Sequence, residues 1–228
     1  MTLWILLIGV PLLVGLWAQM RVSSAFSHWK QVAASSGVTG AQAAREILAA
    51  ANIRDVEVVE INDMLGDHYD PTHKRLCLST EVYRTPSVAA LGIAAHECGH
   101  AIQHQKAYAP LQWRMAIVPI TQIASNMLPF IFLGGLFFGI FKLAMLAVGV
   151  YLILTLFQLI TLPVEFDASR RAKIILQQMG MIRPGEEAAG VNNVLNAAAL
   201  TYVAAFVASL GTLIYYLLIL TGHRGDER

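Results

Sequence analysis

MAIVPITQIASNMLPFIFLGGLFFGIFKLAMLAVGVYLILTLFQLITL, running from Met115 to Leu162, carries a single charge, Lys142. One helix of that length would be about 70 Å long at 1.5 Å per residue, more than twice the roughly 30 Å of bilayer hydrocarbon. The stretch therefore reads as two spans. Their turn is expected around Gly139 to Lys142, with Gly134-Gly135 as the competing position. Pro119 and Pro129 predict a first span that is kinked or starts late.

Outward from this hairpin, Leu3 to Met20 is uncharged and long enough to cross, and it lacks the basic start and small-residue cleavage site of a secretory signal. It is expected to stay attached as an anchor. Ala197 to Leu220 makes a further uncharged span. The composition agrees: 56% of residues are hydrophobic and 14% charged, against about 25% charged in a soluble globule. The chain divides into an anchor (1–20), a polar segment (21–114), the hairpin (115–162), a second polar segment (163–196), a last span (197–220) and a tail (221–228).

Segment 21–114 holds nine Lys and Arg and segment 163–196 holds four, whereas the hairpin tip has Lys142 and the tail Arg224 and Arg228. Four spans place the two richer segments on one side, which the positive-inside rule makes the cytoplasm. Two cysteines, Cys77 and Cys98, fit a reducing compartment and give no disulfide framework. A net charge of +1 without a basic cluster gives no footprint for nucleic acid.

The first polar segment reads as a small α+β unit. Thr39-Gly40-Ala41-Gln42 matches a capping box, and the Ala-rich run after it predicts a helix ending near Asn52. Val56 to Ile61 and Arg75 to Ser79 have strand composition, with Asp67 to His73 as a turn between them. Thr85-Pro86-Ser87 then leads into a helix over Val88 to Gln105.

That helix carries His96-Glu97-Cys98-Gly99-His100. Two His four apart share a face and can grip one Zn²⁺, and Glu97 between them is placed to activate a zinc-bound water as general base. The bland alternative, a polar stripe on an amphipathic helix, is set against a chance match expected roughly once in a hundred such chains. Gly99 keeps the helix slim where substrate or another element approaches. Cys98 points away from the pair and reads as a packed thiol, and His104 as a solvent-facing or substrate-side residue. A third ligand must come from the same side of the membrane. The best candidate is Glu165, just after the third span, with Asp167 competing. Arg170, Tyr202 and His68 are donors that could stabilise an oxyanion. The strand Arg75 to Ser79, preceding the motif helix, is expected to be an edge strand that holds an extended substrate.

The anchor, His68-Tyr69-Asp70-Pro71, the run Ala94-Ala95-His96-Glu97-Cys98-Gly99-His100-Ala101-Ile102-Gln103, the two-span insertion and Glu165-Phe166-Asp167-Ala168-Ser169-Arg170-Arg171 together resemble the YugP-type bacterial neutral zinc metallopeptidases. More distantly they are similar to the HtpX and Ste-type integral-membrane peptidases. There the third zinc ligand is the Glu of a Glu-x-x-Ala-Asp motif, and Glu165 falls on that Glu. Ser169 stands where the motif has its Asp, so the resemblance leaves the group that orients the first His open among Asp167, Ser169 and others. It implies one Zn²⁺ per chain and a bacterial inner-membrane location.

The expected protein is mainly α and integral to the membrane, with four transmembrane helices and a small α+β zincin-like (gluzincin) domain at the cytoplasmic face. It is expected to be a metalloendopeptidase acting on peptides or membrane proteins beside the bilayer. Two alternatives stand against this. One is a site-2-type intramembrane protease, which would need the motif inside a span. The other is a metal-binding scaffold without turnover, which would not need Glu97.

Overall fold

The computed structural model describes residues 2–63, 66–138 and 141–223, mostly helical with one small sheet. The chain opens with Thr2–Trp4 (α1), a π-helical stretch Ile5–Gly9 and Val10–Trp29 (α2). Helical dihedrals at the junctions make these one rod, which continues past Met20 to Trp29. Next comes Gly40–Ala50 (α3), whose start has both bonds of the Thr39/Gln42 capping box. Its end places Asn52 at φ 58° and returns the Ile53 N–H to the Leu48 carbonyl, the αL closure that satisfies a last-turn acceptor.

The sheet contains Glu57–Ile61 (β1), His68–Asp70 (β2) and Arg75–Ser79 (β3) in the order β1-β3-β2, with β1 parallel and β2 antiparallel to β3. Two expectations are corrected here. Part of the stretch expected as a turn is a strand, because its backbone pairs with β3 although its polar side chains show no strand pattern. And β3 is the central strand, with both edges occupied; the edge nearer the motif helix belongs to β2. A short helix, Thr80–Arg84 (α4), leads to Val88–Gln105 (α5), capped by the Ser87 hydroxyl on the Ala90 N–H.

Helix α5 is the centre of the core. Val88 to Ala90, Leu91, Ala94, Ala95 and Cys98 are buried among residues of α3, α4, the sheet and the C-terminal helices. Its small residues let neighbours come close. At Gly99 an added Cβ would stand 2.8 Å from the Ala168 carbonyl oxygen, a distance real side chains do not tolerate. This absence of a side chain lets the helix that carries Glu165 lie against the motif.

Ala109–Phe138 (α6) and Phe141–Gln178 (α7) form an antiparallel pair, followed by Glu186–His223 (α8). An added Cβ at Gly134 would meet Leu143 at 2.9 Å, so the pair packs near its far end. Gly134 and Gly135 are helical, and of the expected turn Gly139 and Ile140 lie outside the described residues, as do Arg224 and Arg228. α7 continues unbroken through Pro163, and α8 begins well before Ala197, so segment 163–196 is largely built from extensions of two long helices.

Among the described residues three stretches are long and apolar enough to cross a membrane: Thr2–Trp29, Met145–Gln178 and Glu186–Thr221. At most 22% of each most apolar window is buried in protein, and Leu13, Met20, Leu152 and Leu218 are exposed. Such long apolar faces fit hydrocarbon rather than water. On α6, Ile123 and Phe130 stand exposed.

Candidate metal centre

His96 and His100 stack one turn apart on α5, their ring centroids 4.8 Å apart and nearly perpendicular. Each ring is fixed through Nδ1: His96 by the Ser169 hydroxyl at 3.1 Å, His100 by the Gln103 side-chain oxygen at 3.0 Å. The tautomer in which both Nδ1 nitrogens donate to these oxygens leaves the Nε2 lone pairs free, as a metal needs. Gln103 is itself fixed. Its amide donates to the Val164 carbonyl at 2.8 Å and to Asp167 Oδ2 at 3.0 Å.

Glu165 meets these rings from α7. Its Oε2 stands 3.2 Å from His96 Nε2 and 3.6 Å from His100 Nε2. Ligand atoms of His96, His100 and Glu165 all lie within 4.8 Å of one another, the group among the described residues able to hold a metal. Two imidazoles and a carboxylate converging from different elements match the donor set and spread of a catalytic zinc site. Glu165 is 2% exposed, and a carboxylate at that depth requires partners.

Glu97 is buried beside the three donors and outside their group. The Tyr69 main-chain N–H, on the outer edge of β2, donates to its Oε2 at 2.9 Å. Burial holds the Glu97 carboxyl above the usual carboxylate range, against the opposing pull of His96 and His100. Its strand partner is anchored in turn: the Tyr69 hydroxyl shares a 2.8 Å hydrogen bond with His104 Nδ1 at the end of α5. Burial pushes the Tyr69 phenol up to about 12, so it stays protonated. His104 thus acts on the strand and not in the donor group. Cys98 is a buried thiol against the Ala44 carbonyl.

A cleft of about 470 Å³ opens over these groups, lined on one side by His68, Tyr69 and Glu97 and on the other by Arg114, Met115 and Tyr202. Of the residues singled out as oxyanion donors, His68 and Tyr202 line it. Arg170 does not; it pairs with Asp167, its side chain 63% exposed. Asp167, the competing ligand, is turned to Gln103, Arg170 and Arg171, and Ser169 occupies the orienting position on His96.

Three participants escape a reading of the sequence. Gln103 follows His100 at i+3, a spacing that places both on one helix face. Arg114 Nη1 donates to Glu165 Oε1 at 2.7 Å. Its partner lies on another helix, so nothing in the spacing of the chain pairs the two. The Tyr69 N–H is a main-chain group and left no side-chain signal.

A family described as "Putative neutral zinc metallopeptidase" matches residues 4–221. The chain is 46% identical over 225 residues to "Putative membrane protease YugP" of Bacillus subtilis (strain 168), covering 99% of this chain and 100% of the relative. No solved structure matches.

Proposed function

The chain belongs to the putative neutral zinc metallopeptidase family, and from that premise we propose a membrane-embedded zinc endopeptidase that cuts proteins at or near the cytoplasmic membrane face. In this reading α6 and α7 form the two-span hairpin, giving four spans with α2 and α8. The α+β unit faces the cytoplasm, a reading that the Lys and Arg distribution supports. The observation that carries it is the convergence of His96, His100 and Glu165 with Glu97 held beside them and not among them.

His96 and His100 through Nε2, and Glu165 through Oε2, would hold one Zn²⁺. The ion would supply Lewis-acid polarisation of the scissile carbonyl and acidification of water. Glu97, oriented by the Tyr69 N–H, takes the proton of the attacking water as general base and hands it to the leaving amine. Its raised proton affinity suits both halves of that task. His68 and Tyr202 stand in the cleft as donors toward the developing oxyanion. The edge of β2 is the main-chain rail along which an extended substrate can lie, and the wall from α6 brings it beside lipid.

Both alternatives fit less well. α5 is not one of the apolar spanning stretches, whereas a site-2-type protease carries its motif inside a span. A scaffold has no use for a buried carboxylate oriented beside the ligands. The test is Glu97→Gln in detergent-purified protein. A loss of peptidase rate of about 10²- to 10⁴-fold, the usual worth of general acid–base catalysis, with zinc content unchanged is expected. Undiminished activity contradicts the reading.

A further inference from the structure

The two oxygens of Glu165 have different partners. Oε2 faces both imidazoles, at 3.2 and 3.6 Å, whereas Oε1 receives the Arg114 guanidinium at 2.7 Å. The Glu165 side chain is 3% exposed. Arg114 comes from the opening turns of α6, on the far wall of the cleft from α5. It is the cationic side chain on that wall, and its bond to Glu165 ties the two helices of the hairpin together at the site.

From this division we infer that Arg114 is a positioning residue: by occupying Oε1 it restricts Glu165 to ligation through Oε2 and keeps a coordination position open for water and substrate. The inference rests on the zinc reading above. A carboxylate can ligate through one oxygen or both, and a catalytic zinc site works by holding three protein ligands and one open place. If Oε1 swung in, that place would be filled. Charge neutralisation alone does not account for an arginine here. Once a dication is bound, Glu165 has its counter-charge and a second cation nearby is repelled. A planar guanidinium donating along a fixed direction supplies orientation, which neutralisation does not require.

The experiment compares wild type, Arg114→Ala and Arg114→Lys, each loaded with Co²⁺ in detergent, because the visible d–d absorption reports coordination number whether or not the enzyme turns over. Wild type is expected to show the intense bands of a four-coordinate site. Arg114→Ala is expected to keep the metal but show weaker, higher-coordinate bands, with kcat reduced about 10- to 100-fold, the range for residues that orient metal ligands. Arg114→Lys, which can still donate to Oε1, is expected to restore the wild-type spectrum. If Arg114→Ala does not fold, Arg114→Met keeps the stem, removes the donors and gives the same reading. An unchanged spectrum in the donor-less variant overturns the inference even if activity falls, and so does outright loss of metal from a folded variant. Failure of the wild type to bind either Co²⁺ or Zn²⁺ is a different result: the metal reading itself falls, and this inference with it.

Discussion

Helix α5 and the α6–α7 hairpin contribute to one site by opposite means. α5 is short, rich in Ala and Gly, and buried on nearly every side, so it holds His96, Glu97 and His100 through dense local packing. The hairpin is long, with much of its apolar surface exposed, and it delivers Arg114 and Glu165 from positions 51 residues apart in the chain. The motif helix fixes which imidazole atoms converge. The hairpin decides whether the Glu165 carboxylate meets them. A local motif therefore signals the chemistry, while the working site depends on one close helix contact far from that motif in sequence.

That contact is where the two regions can be driven apart most forcefully. Gly99→Val places branched carbon where even a Cβ stands 2.8 Å from the Ala168 carbonyl oxygen. Backbone cannot yield as a side-chain tip can, so a destabilisation of about 1–3 kcal/mol or more is expected. Zinc should be lost as α7 withdraws Glu165, which denaturation midpoints and metal analysis would show. A wild-type midpoint with full zinc would mean that the two helices are not held at this spacing.

Gln103 bridges the regions by side chain, accepting from His100 Nδ1 while donating to Val164 and Asp167 of α7. Gln103→Ala should weaken zinc binding about 10- to 100-fold, the range for groups that orient a metal-bound His. Competition with a chromophoric chelator measures it, and Gln103→Glu, which keeps the acceptor but turns a second carboxylate toward Asp167 and the Val164 carbonyl, should not recover the loss. Equal affinity in all three proteins would show that His100 is oriented by packing alone.

The smallest effect concerns Asp67, ahead of β2, which accepts from the Ser79 N–H at 2.7 Å. Burial raises its carboxyl above the ordinary value of 3.8. The folded state therefore binds this proton more tightly than the unfolded chain. The stability from this group is fully present below pH 3.8 and declines as pH rises through the folded value. Asp67→Asn, which keeps an acceptor for Ser79, should flatten that part of the stability profile in thermal melts across acidic pH. A profile identical to wild type would show that Asp67 does not titrate differently on folding.

Much of the α5 side was legible in the sequence because its signals are local. The capping box at Thr39, the Ser87 cap and the His spacing each act within a turn or two of chain, and α5 spans the expected Val88 to Gln105. Strand β2 was not legible. His68, Tyr69 and Asp70 have no apolar alternation and become a strand only because β3 pairs with them and Glu97 accepts from Tyr69. That pairing makes β3 the inner strand and gives the edge nearer the motif helix to β2. On the hairpin side, Glu165 could be proposed from its place after an apolar run. Arg114 was counted only as a topology charge, because its partner lies on another helix. Asp167 and Arg170, plausible from type and position, pair with each other on a face away from the cleft.

The central claim is that one zinc joins these two regions, and zinc content per chain tests it most directly. Detergent-purified wild type should carry about one zinc, with His100→Ala, from the motif helix, and Glu165→Ala, from the hairpin, each losing it or binding it far more weakly. Zinc retained at the wild-type level in Glu165→Ala, while lost in His100→Ala, would contradict the account, because the hairpin would then supply no ligand.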